Sequence, residues 1–218
     1  MNAAGPLAGL RTRAARVGGQ LRFRGSGSYW RDRYASGGSS GAGSYGAQAQ
    51  WKADVVNGWV ESLGVQSIVD FGCGDGNQLS LARYPRYLGL DVSPAAVQQC
   101  AARFAADDTK SFLAYDPSAC HDPAGWLRAD LALSMEVLFH LVEPDVFATY
   151  LAQLFASADR YVVICARDAE RPGGPHERYR PFTPWVAANA PQWQLTERVA
   201  PPAGVDLVSE LFLFSRRT

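Results

Sequence analysis

The chain has 218 residues, 47% of them hydrophobic, and its 21 basic and 21 acidic side chains cancel at neutral pH. That size and apolar content suit one α/β domain plus an extension; the absence of any 18-residue apolar run excludes a membrane-spanning helix, and zero net charge argues against a dedicated nucleic-acid binder. The N-terminus lacks the apolar stretch of a secretory signal, so the expected location is the cytoplasm. Cys73, Cys100, Cys120 and Cys165 show no C-x-x-C or metal spacing and are expected to be reduced packing residues.

Residues 1–44 read as a basic, Gly-rich arm: six arginines precede the first acid, Asp32, and Gly37 to Gly46 alternate glycine with serine and alanine. That composition describes a linker, yet Tyr29, Trp30, Tyr34 and Tyr45 are larger than a linker needs, so part of the segment is expected to pack as a lid or as the arm of a homodimer. The globular domain is assigned to 45–218. Apolar residues at helical spacing from Trp51 to Leu63 predict a helix over 48–63, with Gly64 as its stop.

Ile68, Val69 and Phe71 then form a short strand that breaks into Gly72-Cys73-Gly74-Asp75-Gly76, a glycine turn expected to open a helix. The spacing is G-x-G-x-G, with Asn77 where a dinucleotide fingerprint requires glycine. A ribose-binding acid is expected about 20 residues on. The next strand, Tyr87 to Asp91, ends in such an acid 19 residues after Gly72. Ser93-Pro94 is an N-cap followed by proline at the first helical position. Further strands are predicted at 111–115, 130–135 and 160–166, with a helix over 143–157 and a C-terminal strand pair at 192–199 and 205–214. Strands alternating with helices imply a doubly wound parallel sheet, here with an antiparallel ending.

The VDFGCGDG turn and the GLDVS strand end resemble class I S-adenosylmethionine (SAM) dependent methyltransferases. The resemblance implies a Rossmann-like sheet of seven strands with helices on both faces, and SAM as cofactor. It places Gly72 and Gly74 beside the methionine part, has Asp91 accept from both ribose hydroxyls, and adds Asp70, Cys73, Val92 and Ser134 as cofactor contacts. Asp116, after the third strand, is assigned to the adenine amino group, its alternative being a plain Asp-Pro turn.

Chemistry is expected where strands end. Glu136 and His140 leave the fourth strand with i,i+4 spacing, which on a helix would put both on one face to orient a base or bind a divalent ion such as magnesium; two ligands are too few to assert a metal. After the fifth strand comes a long polar segment with Arg167, His176, Arg178, Arg180 and Trp185, a mixture suited to a polyhydroxylated ligand, with a solvated charged loop as the alternative. From Tyr29 to Trp185 the chain is similar to small bacterial methyltransferases of glycan and polysaccharide biosynthesis, through YW…RY, SGAGSYG, Lys52, VDFGCGDGNQLS, HLVE and the His-x-Arg-x-Arg loop. That narrower resemblance implies transfer of a methyl group to a sugar hydroxyl. The catalytic residues would be His140 as general base with Glu136 and His176, the loop would hold a carbohydrate acceptor, and Tyr29, Arg33 and Tyr45 would close over the cofactor. Another small metabolite or, through the basic arm, an RNA are the alternative acceptors.

Overall fold

The computed structural model describes residues 23–205 and 207–217. Of the expected basic arm, Arg11, Arg13, Arg16 and Arg22 lie outside the described residues. In chain order the elements are helix α1 (Ser26–Ala35), α2 (Gly46–Ser62), β1 (Ile68–Phe71), β2 (Tyr87–Asp91), α3 (Pro94–Arg103), β3 (Lys110–Ala114), β4 (Ala129–Met135), α4 (Pro144–Ala156), β5 (Ala158–Ala166), α5 (Thr183–Asn189), β6 (Trp193–Val199) and β7 (Glu210–Arg216). The strands form one seven-stranded sheet in the order β3-β2-β1-β4-β5-β7-β6. β1 to β5 are parallel, and β7 runs antiparallel to both of its neighbours.

Both faces of this sheet are covered, and the two-residue period of each strand sorts its side chains between them. Along β5, Val162, Ile164 and Ala166 face the layer of Tyr150, Leu151 and Leu154 from α4, whereas Val163 and Cys165 face Trp51, Val56 and Val60 from α2. Ser93 caps α3 by accepting from the Ala96 amide, with Pro94 in the first turn. Among the described residues no helix is long and apolar enough to cross a membrane.

Three expectations change. The glycine turn does not open an α-helix: a short 3-10 turn, Leu79–Leu81, follows it, because few residues separate Gly76 from Pro85 and the chain must already return to β2. The last strand starts at Glu210 and not at Val205, since the ladder begins where Ala166 at the end of β5 meets Glu210. The supposed linker contains helix α1, and its Tyr34 is buried. The strand order reverses between β1 and β4, which places the crevice for a ligand over the carboxyl ends of those two strands.

Candidate active site

The turn after β1 folds back on β2: the Gly72 and Cys73 amides both donate to the Leu90 carbonyl, at 2.7 and 3.0 Å. Gly72 and Gly74 have φ of 93° and 60°, which L side chains rarely adopt. A Cβ on Gly72 would lie 2.6 Å from Val137 Cγ2, and one on Gly74 would run into Ser40 Oγ and Tyr34 Oη. The loop therefore needs glycine to let the N-terminal segment and the β4 end close around it.

Asp91, at the end of β2, is buried and accepts the Gly74 amide on Oδ2 at 3.0 Å and the Ser93 amide on Oδ1 at 2.9 Å. Each oxygen keeps a lone pair for a further donor. Burial pushes this carboxyl up to about 6, against the pull of the two backbone donors. Asp70, on β1, accepts the Tyr87 hydroxyl on Oδ2 at 2.7 Å, while its buried Oδ1 has no partner. Burial pushes it up to about 7. Both carboxylates border a cavity of about 440 Å³, together with Gly72, Cys73, Gly74, Val92, Asp116, Glu136 and His140. The Cys73 thiol is held protonated by its contact with the Cys100 thiol and by burial. Asp116 is an Asp-Pro turn residue whose carbonyl accepts the Ala119 and Cys120 amides, and it also lines the cavity. Hydrogen bonds from the Ser118 hydroxyl and amide hold its carboxyl below the usual range.

Helix α1 lies across this cavity, tied at both ends by one carboxylate each. At its start the Ser26 amide and hydroxyl donate to Glu143 at 2.9 and 2.5 Å, and the Val142 amide donates to Ser26 Oγ. Beyond its end the Ser40 amide and the Tyr45 hydroxyl donate to Asp75 Oδ2 at 2.9 and 2.7 Å, while the Asp75 amide donates to Ser40 Oγ. Asn77, the residue that breaks the dinucleotide fingerprint, donates through Nδ2 to the Ser44 carbonyl at 2.7 Å. Burial raises the Asp75 carboxyl, but the donors from Ser40, Asn77 and Tyr45 outweigh it and hold the group below its ordinary range.

From α1 the cavity is lined by Trp30, Arg31 and Tyr34. The three residues expected to close the lid brace it instead. The Tyr29 ring stacks on His176 at 4.3 Å, Arg33 donates to the Ser39 carbonyl and the Tyr29 hydroxyl, and Tyr45 holds Asp75.

The β4 end departs from a helical reading. Glu136 has φ of 63° and the only regular turn that follows is 3-10, Leu138–His140, so Glu136 and His140 do not share a helix face. Glu136 accepts the Cys165 thiol on Oε1 at 3.1 Å and lines the cavity. His140 lies edge-on to Trp30, with ring centres 4.7 Å apart, and its Nδ1 is 3.3 Å from the His176 carbonyl. Burial holds the His140 imidazole down at about 4, against the effect of that carbonyl. The ring is therefore neutral at pH 7, and a proton on Nδ1 donated to His176 O leaves Nε2 as an acceptor. Among the described residues no three His, Cys, Asp or Glu side chains gather as a metal site.

Ser134 is moved out of the site. It is fully buried, and the Tyr150 hydroxyl bridges its Oγ, at 2.8 Å, and the Phe71 carbonyl. Of the expected acceptor loop, His176 alone approaches His140, at 5.7 Å between ring centres, in a turn and not in extended chain. Burial lowers its pKa. Arg180 spends Nη2 on the Leu141 and Val142 carbonyls at 2.6 and 2.8 Å, and its guanidinium lies over Phe147. Arg178 ties its amide to Phe139 O, Trp185 packs against the core, and Arg167 Nε is buried without a partner. Asp168, unremarked in the sequence, anchors the segment by accepting the Phe182 and Thr183 amides and the Thr183 hydroxyl. The sequence marked Trp30 as part of a packed segment and Asp75 as part of the glycine turn, but nothing local assigned Trp30 to the cavity wall, Asp75 to the latch or Asp168 to its anchor.

Residues 69–158 match a sequence family described as a methyltransferase domain. The fold is similar to that of magnesium protoporphyrin IX methyltransferase from Synechocystis PCC 6803 with bound SAM (TM-score 0.64, 16% identity, 88% of this chain and 97% of that one). It is also similar to the N-methyltransferase NodS from Bradyrhizobium japonicum WM9 in complex with S-adenosyl-L-homocysteine (0.62, 18%, 78% and 88%). The chain has the class I methyltransferase fold. The methyltransferase domain of a bacterial CtHen1 protein is a further neighbour (0.62, 18%, 78% and 98%). No curated protein matches the sequence. In this methyltransferase fold the cavity described above occupies the crevice at the strand-order switch.

Proposed function

We propose that the chain is a SAM-dependent methyltransferase that acts on a hydroxyl of a sugar or oligosaccharide. The observation that supports this best is a single cavity bordered by Asp91, with a lone pair free on each oxygen, and by a neutral His140. The donor set fits the cofactor. Asp91 suits a pair of vicinal ribose hydroxyls, and the unpartnered Asp70 Oδ1 suits an ammonium group. Asp116 and Val92 line the same cavity and suit its adenine end. SAM is the cofactor, and when bound it supplies a methyl group on a sulfonium, already activated for displacement.

The protein then has to position an acceptor oxygen and remove its proton. His140 Nε2 accepts that proton; with the ring held near 4 it is a weak base, so the transfer occurs late, as the oxygen loses electron density to the new bond. General base action contributes about 10²- to 10⁴-fold, or roughly 3 to 5 kcal/mol. Holding the oxygen in line contributes more, up to about 7 to 11 kcal/mol. Helix α1 with its two carboxylate ties covers the cavity and keeps water away from the reaction. Trp30 and His140, which both line the cavity, present aromatic surface that suits the CH face of a sugar ring, and Tyr29 and His176 pack behind them.

One observation favours a second reading. Arg24 and Arg31 also line the cavity, and they suit a small anionic metabolite methylated on oxygen or nitrogen. Methyl-labelled SAM incubated with a panel of mono- and oligosaccharides and a panel of small carboxylates and phosphates, each with and without a chelator, separates the two. Label appearing in saccharides alone supports the sugar reading; label confined to the anions replaces it. Loss of activity with chelator would add a divalent ion to the reaction.

A further inference from the structure

Among the described residues other than glycine, Glu136 alone has a positive φ, at 63°. L residues enter that region at a cost, and an ordinary turn places glycine, asparagine or aspartate there. The backbone at Glu136 is fixed from both sides. Its amide donates to the Cys165 carbonyl at 2.9 Å, where β4 leaves β5, and the 3-10 turn Leu138–His140 starts two residues on. Strained residues persist only where the surrounding structure holds them, and they gather at functional sites. A long acidic side chain at this position therefore has a task that glycine could not perform.

That side chain reaches the cavity. Its Oε1 accepts the Cys165 thiol at 3.1 Å, a weak donor that takes one of the roughly four acceptor sites of a carboxylate. Among the described residues no lysine, arginine or histidine forms an ion pair with Glu136. His140 borders the same cavity but is tied elsewhere: it packs on Trp30 of α1, whereas Glu136 is joined to the end of β5. A neutral imidazole with Nε2 unprotonated and a carboxylate are both hydrogen-bond acceptors. A molecule that meets both must bring two donors, and a ring with neighbouring hydroxyls does so.

We infer that Glu136 is a specificity-determining residue that accepts a hydrogen bond from a second hydroxyl of the acceptor, next to the hydroxyl that His140 deprotonates. This rests on the sugar reading proposed above and narrows it to acceptors with neighbouring hydroxyls. It also accounts for the backbone: the left-handed turn aims the carboxylate at the cavity while the Cys165 thiol and carbonyl hold it in place.

The test offers methyl-labelled SAM with the methyl pyranosides of glucose, galactose and mannose and with their monodeoxy analogues. In wild type, the analogue that lacks the hydroxyl beside the methylated one should lose kcat/KM by about 10- to 100-fold, as a bond to a charged acceptor predicts. Glu136→Ala should bring the parent sugar down to the level of that analogue and so erase the discrimination, with S-adenosylhomocysteine affinity in calorimetry within about twofold of wild type. Glu136→Gly should melt about 2 to 4 °C above Glu136→Ala, because only glycine is relieved of the left-handed backbone. The inference is overturned if wild type tolerates loss of every neighbouring hydroxyl, if Glu136→Ala keeps the discrimination, or if it weakens S-adenosylhomocysteine as much as the sugar. Equal melting of the alanine and glycine variants also overturns it, since the residue would then carry no strain. Label in none of the pyranosides overturns the inference and the monosaccharide reading with it, whereas label without hydroxyl discrimination removes the role of Glu136 alone.

Discussion

Replacing Asp75 by alanine should unlatch helix α1 from the glycine turn without unfolding the sheet. The carboxylate accepts three donors: the Ser40 amide at 2.9 Å, the Tyr45 hydroxyl at 2.7 Å and the Asn77 amide at 3.0 Å. Two of these hold the 26–45 segment and one shapes the turn itself. At about 0.5 to 1.5 kcal/mol net for each, and more for bonds to a charged acceptor, the two latch bonds contribute about 2 to 4 kcal/mol. The segment's other long-range ties include Ser26 to Glu143, Asn77 to Ser44, the Asp75 amide to Ser40 Oγ, and the ring contacts of Tyr29 with His176 and of Trp30 with His140. Native-state hydrogen exchange of amides in 26–45 should therefore quicken by about 30- to 1000-fold in Asp75→Ala, while amides of β1, β4 and β5 change little. Because the donors depress the Asp75 pKa, the latch is complete above the ordinary carboxylate value and is lost only as pH falls through the lowered folded value. Unchanged exchange in 26–45 would refute the latch, and equal acceleration throughout the sheet would show that Asp75 stabilises the whole fold instead.

Asp91→Asn should weaken S-adenosylhomocysteine by at least about 10²-fold in calorimetry, since two charge-assisted bonds at about 1.5 to 3 kcal/mol each depend on the carboxylate; a loss below tenfold would remove the ribose assignment. His140→Ala should lower kcat by about 10²- to 10⁴-fold with cofactor affinity intact. In wild type the acid limb of kcat/KM should fall near pH 4 and not near the ordinary histidine value of 6.5; a limb near 6.5 would contradict the buried neutral ring. The same depression makes the unfolded chain bind the extra proton, so His140 should lower stability as pH drops from 6.5 toward about 4. Arg180→Met should lower Tm by removing two ties to the β4–α4 connection, at a cost of about 1 to 3 kcal/mol, and leave acceptor KM unaltered; a raised KM with unchanged Tm would restore it to the acceptor site.

Local patterns carried most of the architecture. The apolar runs ending in Phe71 and Asp91, the Ser93-Pro94 cap and the α4 periodicity were legible because each depends on neighbours within a few residues. The missing helix after β1 was not, since the glycine pattern that normally opens one is the same whether or not enough chain remains before Pro85. Side-chain roles were harder still. Ser134, Arg178 and Arg180 sit at the sequence positions of site residues, yet their partners are Tyr150 and the carbonyl groups of a distant connection.

The sequence by itself determined that a glycine turn follows β1, that an acid ends β2 and that a doubly wound sheet must place both over one crevice, because period, caps and glycine are properties of short stretches. Tertiary structure decided what surrounds that crevice. It laid a Gly- and Ser-rich segment of linker composition across the cavity as a helix held by Glu143 and Asp75. It left His140 neutral against Trp30, and it buried Lys52 on the face that α2 turns to the core. Each of these depends on contacts between residues dozens of positions apart, and on the desolvation that such contacts impose.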